Sequence, residues 1–112
     1  MARLDPVIAY RARKAISVLE DEAQVEAAYV FGSQVYGSAD DWSDIDIAVF
    51  VVGVEKWDIE RRAIAAARTQ RIAGDDIEVH LFPAFLHTSA PSASFAAYVR
   101  RHGVRLTTSP SI

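Results

Sequence analysis

Two aspartates, Asp44 and Asp46, flank one isoleucine directly after the stretch FGSQVYGSADDWS, residues 31–43. On a strand, alternate residues share a face, so these carboxylates point together while Ile45 points away. Two carboxylates that close repel unless something positive lies between them. Hard oxygen donors of this kind suit Mg²⁺ or Mn²⁺, which keep waters and take phosphate oxygens as further ligands. Alone, an Asp-x-Asp triplet is equally an acidic turn leading into a strand. Upstream, Gly32 and Ser33 end an apolar run. A bare glycine lets the backbone approach a phosphate closely, and a helix beginning at Ser33 would aim free N–H groups at the same space. The serine hydroxyl adds one directed hydrogen bond, and Gly37 and Ser38 let the loop turn back toward the aspartates. Alone, a Gly-Ser pair is a turn.

The elements around these residues decide whether they can meet. Asp5-Pro6 supplies an N-cap followed by proline at the first helical position. Ile8, Ala12, Ala15, Ile16, Leu19 and Ala23 then recur at helical spacing. Val25–Phe31 reads as a short buried strand stopped by Gly32. Ile45–Val52 reads as a second strand, with Ile45, Ile47, Val49 and Val51 on the face toward the helices. The alanine-rich segment from Lys56 to Ile72 predicts a helix closed by Gly74. Ile77–Phe82 predicts a third strand ending at Pro83, residues 84–94 a loop, and Phe95–His102 a last helix capped by Gly103. Residues 107–112 read as a frayed tail. The expected architecture is a small α/β (α+β) sandwich, a mixed sheet of at least three strands flanked by helices.

Composition bounds the function classes. The 112 residues suffice for one domain and are too few for two ordinary ones. With no cysteine, a disulfide framework and a Cys-based zinc site are excluded, which fits a reducing cytoplasm. The longest apolar run, IAVFVVGV at 47–54, is far short of a membrane span. The start, MARLDPVIAY, has no long apolar core, so a signal peptide is not expected. A net charge of −3 argues against an unaided grip on a nucleic-acid backbone. The basic clusters (Arg11, Arg13, Lys14; Arg61, Arg62, Arg68, Arg71; Arg100, Arg101) read as solvated helix faces, with a docking surface for an acidic partner as the alternative.

Joined, Gly32-Ser33, ten residues and Asp44-x-Asp46 match the Gly-Ser-x10-Asp-x-Asp signature of the nucleotidyltransferase superfamily that includes DNA polymerase beta. An apolar strand before Gly32, a second glycine at 37 and Ser43 before the first aspartate strengthen the match. With its end at Arg-Arg-His-Gly-Val-Arg-Leu, 100–106, the chain resembles the minimal nucleotidyltransferases of prokaryotes across nearly its whole length, 1–112, as a single domain. Such proteins often occur as the MntA-like antitoxin partner of a HEPN-domain ribonuclease toxin.

That resemblance implies two-metal phosphoryl transfer. Gly32 and Ser33 would hold the triphosphate, and Asp44 and Asp46 would bind Mg²⁺, with Mn²⁺ the alternative. It also implies a third carboxylate on a neighbouring strand. Glu78 fits, flanked by Ile77 and Val79, as metal ligand and base, although the family more often has aspartate there and a solvent-facing strand residue is the plain alternative. Asp76 is the second choice. The donor implied is ATP, the acceptor a tyrosine of the HEPN toxin, and the outcome its inactivation by AMPylation. A chain that is nearly all catalytic core is expected to borrow its acceptor site from another subunit. Two rivals stay open: an antitoxin that neutralises by binding alone, and a subunit of a small-molecule, antibiotic-type nucleotidyltransferase. His80 could line the site but reads rather as structural or solvated and is left out of it; Tyr36 and Trp42 read as packing or base-stacking aromatics, and Asp40 and Asp41 as solvated loop acids.

Overall fold

The computed structural model describes residues 4–36 and 44–106, without the side chains of Ser33 and Tyr36. Gly37, Ser38, Asp40, Asp41, Trp42, Ser43 and the tail at 107–112 lie outside the described residues. The order is α1 (Pro6–Glu20), β1 (Val25–Phe31), α2 (Ser33–Tyr36), β2 (Ile45–Val51), α3 (Ile59–Ala73), β3 (Ile77–Pro83), α4 (Leu86–Ser89), α5 (Phe95–His102) and β4 (Val104–Leu106). The expected mixed sheet is present with four strands, in the order β3-β2-β1-β4. β1 runs antiparallel to β2 and β4, whereas β2 and β3 are parallel. Parallel neighbours need a long crossover, and α3 supplies it.

Alternation within the strands divides the interior in two. Ala28 and Val30 of β1 join Ile45, Ile47, Val49 and Val51 of β2 against Ala12, Ala15, Ile16 and Leu19 of α1 and Ala65 of α3. Ala27, Tyr29, Phe31, Ala48 and Phe50 face the other way, against Ala96 and Val99 of α5. Each large apolar side chain fully buried this way contributes about 1.5–3 kcal/mol. Asp46 falls on the second face, in step with Ala48 and Phe50.

Three elements differ from the sequence reading. The helix expected from Lys56 begins at Ile59, because the Asp58 side chain accepts the Arg61 N–H at 2.7 Å and Val54–Lys56 form a separate 3₁₀ turn. The loop 84–94 contains the single turn α4. A fourth strand, β4, pairs Leu106 with Ala28 and Val104 with Val30. It is three residues long, too short for alternation to announce it.

Much of the basic surface is occupied by fold contacts. Arg11 of α1 donates from both terminal nitrogens to Asp76, one bond measuring 2.9 Å, and so ties the helix to the turn before β3. Arg61 lies over the Trp57 ring, Arg62 donates to the Val54 carbonyl, and Arg68 bridges to Asp21 and Glu22 after α1. Among the described residues, no helix is long and apolar enough to cross a membrane.

Candidate active site

The site lies where β1 ends and β2 and β3 begin. Buried Ile45 opens β2, so pleating sends Asp46 to the opposite face of the sheet. The parallel register sets Asp46 beside Glu78 and Ala48 beside His80. Glu78 and His80, two apart on β3, therefore share a face with Asp46. Their donor atoms come together: one carboxylate oxygen each from Asp46 and Glu78 and one ring nitrogen of His80 all lie within 4.8 Å of one another.

Individual distances describe the cluster. His80 Nε2 stands 3.3 Å from Asp46 Oδ1 and 4.0 Å from Glu78 Oε1. Side-chain exposure rises from 26% at Asp46 through 32% at His80 to 54% at Glu78, so the cluster is walled on one side and open on the other. The wall is aromatic. The His80 ring meets Phe31 edge-on at a centroid distance of 5.1 Å, with Phe95 at 6.4 Å.

The Gly-Ser turn abuts this cluster. Gly32 has φ +82°, the left-handed region that side chains disfavour, and a Cβ placed there would stand 2.9 Å from Asp46 Oδ2. The Val35 N–H donates to the Gly32 carbonyl at 3.0 Å, and buried Val35 anchors the one-turn helix α2 that Ser33 opens. Gln34 donates to the Asp44 carbonyl at 3.4 Å, joining α2 to the approach of β2.

The residues expected from the sequence thus fall into two groups. Gly32, Asp46 and Glu78 are brought together, and Ser33 follows Gly32 in the chain. Asp44 is exposed, ahead of β2, and its side chain is not one of the three that converge. Asp76 reaches Arg11 instead, and that guanidinium holds its carboxyl below the usual carboxylate range, by hydrogen bonding first and charge second. His80, which the sequence reading set aside, is in the cluster. The one signal that could have found it was its even spacing from Glu78.

The polymerase beta nucleotidyltransferase family matches residues 13–107. This chain belongs to that family. The matched span holds Gly32, Ser33, both aspartates, Glu78 and His80. The fold is also similar to that of a Sulfolobus solfataricus protein described as a candidate nucleotidyltransferase, with TM-score 0.57 and 23% identity over 71% of this chain and 70% of that one. No functionally curated protein matches the sequence. Family membership supports nucleotidyl transfer as the chemistry, and it implies a divalent metal and a nucleoside triphosphate. The donor set suits such an ion: two carboxylates and an imidazole converge on one point, and Gly32 leaves Asp46 Oδ2 uncovered where a side chain would press on it.

Proposed function

We propose that this nucleotidyltransferase moves AMP from ATP to a hydroxyl on a partner protein, a tyrosine of a HEPN-domain ribonuclease toxin, and so acts as its antitoxin in the cytoplasm. The observation that carries the transferase reading is the meeting of the Gly32 turn with Asp46 and Glu78, two motif halves separate in sequence and adjacent in space. The toxin partner, the tyrosine and the choice of ATP rest on the resemblance to MntA-like proteins.

In this reading the acceptor oxygen bonds to the α-phosphorus while the bond from that phosphorus to the bridging oxygen breaks, releasing pyrophosphate. Bound divalent ions lower the cost of charge on the acceptor oxygen and on the leaving phosphates. Asp46 and Glu78, with Asp44 ahead of β2, would hold the divalent ions. The backbone at Gly32 and Ser33 lies along the phosphates, a close approach that a side chain at position 32 would block. Glu78, the most exposed of the three converging groups, takes the acceptor proton. Phe31 and Phe95 limit water on the side of His80.

Incubation with labelled ATP, a divalent ion and the protein of the adjacent gene tests this. Label is expected on a tyrosine of the neighbour, and lost with Asp46→Asn and with Glu78→Gln. Tight binding of the neighbour with no transfer from any nucleoside triphosphate would overturn the catalytic reading in favour of an antitoxin that acts by binding. Label on a small molecule instead would overturn the assignment of the acceptor.

A further inference from the structure

Resting on that reading of the site, we propose that His80 is a nitrogen ligand of the catalytic ion, and that it turns the site toward first-row transition ions and away from Mg²⁺. The donor set is the starting point. Mg²⁺ takes oxygen ligands and holds its waters, whereas imidazole suits Mn²⁺ weakly and Co²⁺ or Zn²⁺ progressively better. An all-carboxylate site has little reason to favour a transition ion strongly over Mg²⁺. One imidazole in place of an oxygen supplies such a reason.

Geometry distinguishes a ligand from a neighbour. Two donors about 2.1 Å from one ion stand roughly 3.0 Å apart at a right angle and about 4 Å apart near 140°. His80 Nε2 is 3.3 Å from Asp46 Oδ1 and 4.0 Å from Glu78 Oε1, within that range for both carboxylates. As a direct hydrogen bond, the 3.3 Å contact is long beside the usual separation of about 2.9 Å. The spacing suits a shared ion better than it suits a bond between the two side chains.

The surroundings aim the ring. Ala48 lies beside His80 in the register and is fully buried, and its methyl leaves the imidazole room to reach Asp46. Phe31, itself buried, meets the ring edge-on and Phe95 flanks it. A side chain held by packing loses little freedom on binding, which is what preorganised ligation requires. A solvated histidine on an open sheet would have none of these constraints.

The test uses the full chain in imidazole-free buffer, loaded with Mn²⁺, and reads electron spin-echo modulation from ¹⁴N. Nitrogen modulation is expected on the unsubstituted protein, a measurement that needs no variant to fold. His80→Gln, checked for folding by thermal denaturation, is expected to lose it. By calorimetry the same variant is expected to bind Co²⁺ about 10- to 100-fold more weakly, while Mg²⁺ affinity changes by less than about threefold. Mn²⁺ bound without nitrogen modulation, or equal Co²⁺ affinities for the two proteins, would overturn the ligand assignment. The two readings fail separately. Transfer that proceeds with nitrogen-free Mn²⁺ removes His80 and leaves the transferase, whereas nitrogen-coordinated Mn²⁺ with no transfer to any acceptor supports the ligand and removes the transferase.

Discussion

Gly32 offers the most direct way to separate the cost of a backbone conformation from the cost of disturbing a ligand. Its φ is +82°, and Gly53 adopts nearly the same φ, +80°. A left-handed conformation costs a residue with a side chain about 1–2 kcal/mol. Gly32→Ala and Gly53→Ala share that term. For a domain of this size it lowers the melting temperature by about 4 °C per kcal/mol, so about 4–8 °C. Space then divides the two variants. A Cβ at Gly53 meets nothing within 4 Å, whereas at Gly32 it meets Asp46 Oδ2 at 2.9 Å. The carboxylate has to retreat by roughly half an ångström to reach ordinary contact. Metal–ligand distances tolerate about 0.2 Å. Both variants are therefore expected to melt at similarly lowered temperatures, with only Gly32→Ala weakening Mn²⁺ binding and transfer, by tenfold or more. Scanning calorimetry reads the first quantity, and Mn²⁺ titration by electron paramagnetic resonance the second. Equal loss of Mn²⁺ affinity in the two variants, or none in either, would refute the claim that Gly32 is glycine on account of Asp46.

Three further outcomes are expected. Phe50 is fully buried and stacks on Phe82 at 5.3 Å, so Phe50→Ala is expected to cost about 3–5 kcal/mol, read as a shift of the urea midpoint at unchanged slope. Asp76 titrates below its ordinary 3.8 because Arg11 bonds to it; its contribution is complete above that value and is lost as pH falls through the lower folded value, so Asp76→Asn is expected to flatten the acid limb of a stability–pH curve. His87 titrates below 6.5 because burial disfavours its charged form, with Arg105 and Arg100 adding to the effect and Glu26 opposing it. Its neutral form is the one the fold holds, so stability is expected to fall as pH drops below 6.5, and chemical denaturation of His87→Gln between pH 7.5 and 5 is expected to show a smaller drop.

Asp46 and Glu78 were legible in the sequence because they obey a short rule: the pleat alternates, and the buried isoleucines at 45 and 47 and the apolar residues at 77 and 79 fix which way the acids point. What no local pattern contains is register. That Asp46 lies beside Glu78 rather than beside Asp76 follows from the parallel pairing of β2 with β3, and Asp76 is further withdrawn by an arginine 65 residues away. The place of His80 beside Asp46 was hidden for the same reason. Its parity was visible, but its reach toward Asp46 depends on the small Ala48 of another strand and on Phe31 of a third. The start of α3 was readable in principle, since Asp58 is a good N-cap, but Lys56 continues the polar pattern without a break. β4 has too few residues to show a period and is held by what it pairs with.

Two of the three converging donors, Glu78 and His80, sit on β3, which has one strand neighbour among the described residues. An outer strand can detach while the centre of the sheet stays paired, at a free energy below that of global unfolding. Such a detachment would disperse the donors without melting the protein. Conversely, an ion bound across β2 and β3 would act as a clasp, stabilising the attached state by an amount that grows with the logarithm of its concentration over its dissociation constant. Metal occupancy and order of that strand then form one equilibrium. Amide exchange along β3 becomes a gauge of whether the enzyme is loaded, readable without any substrate.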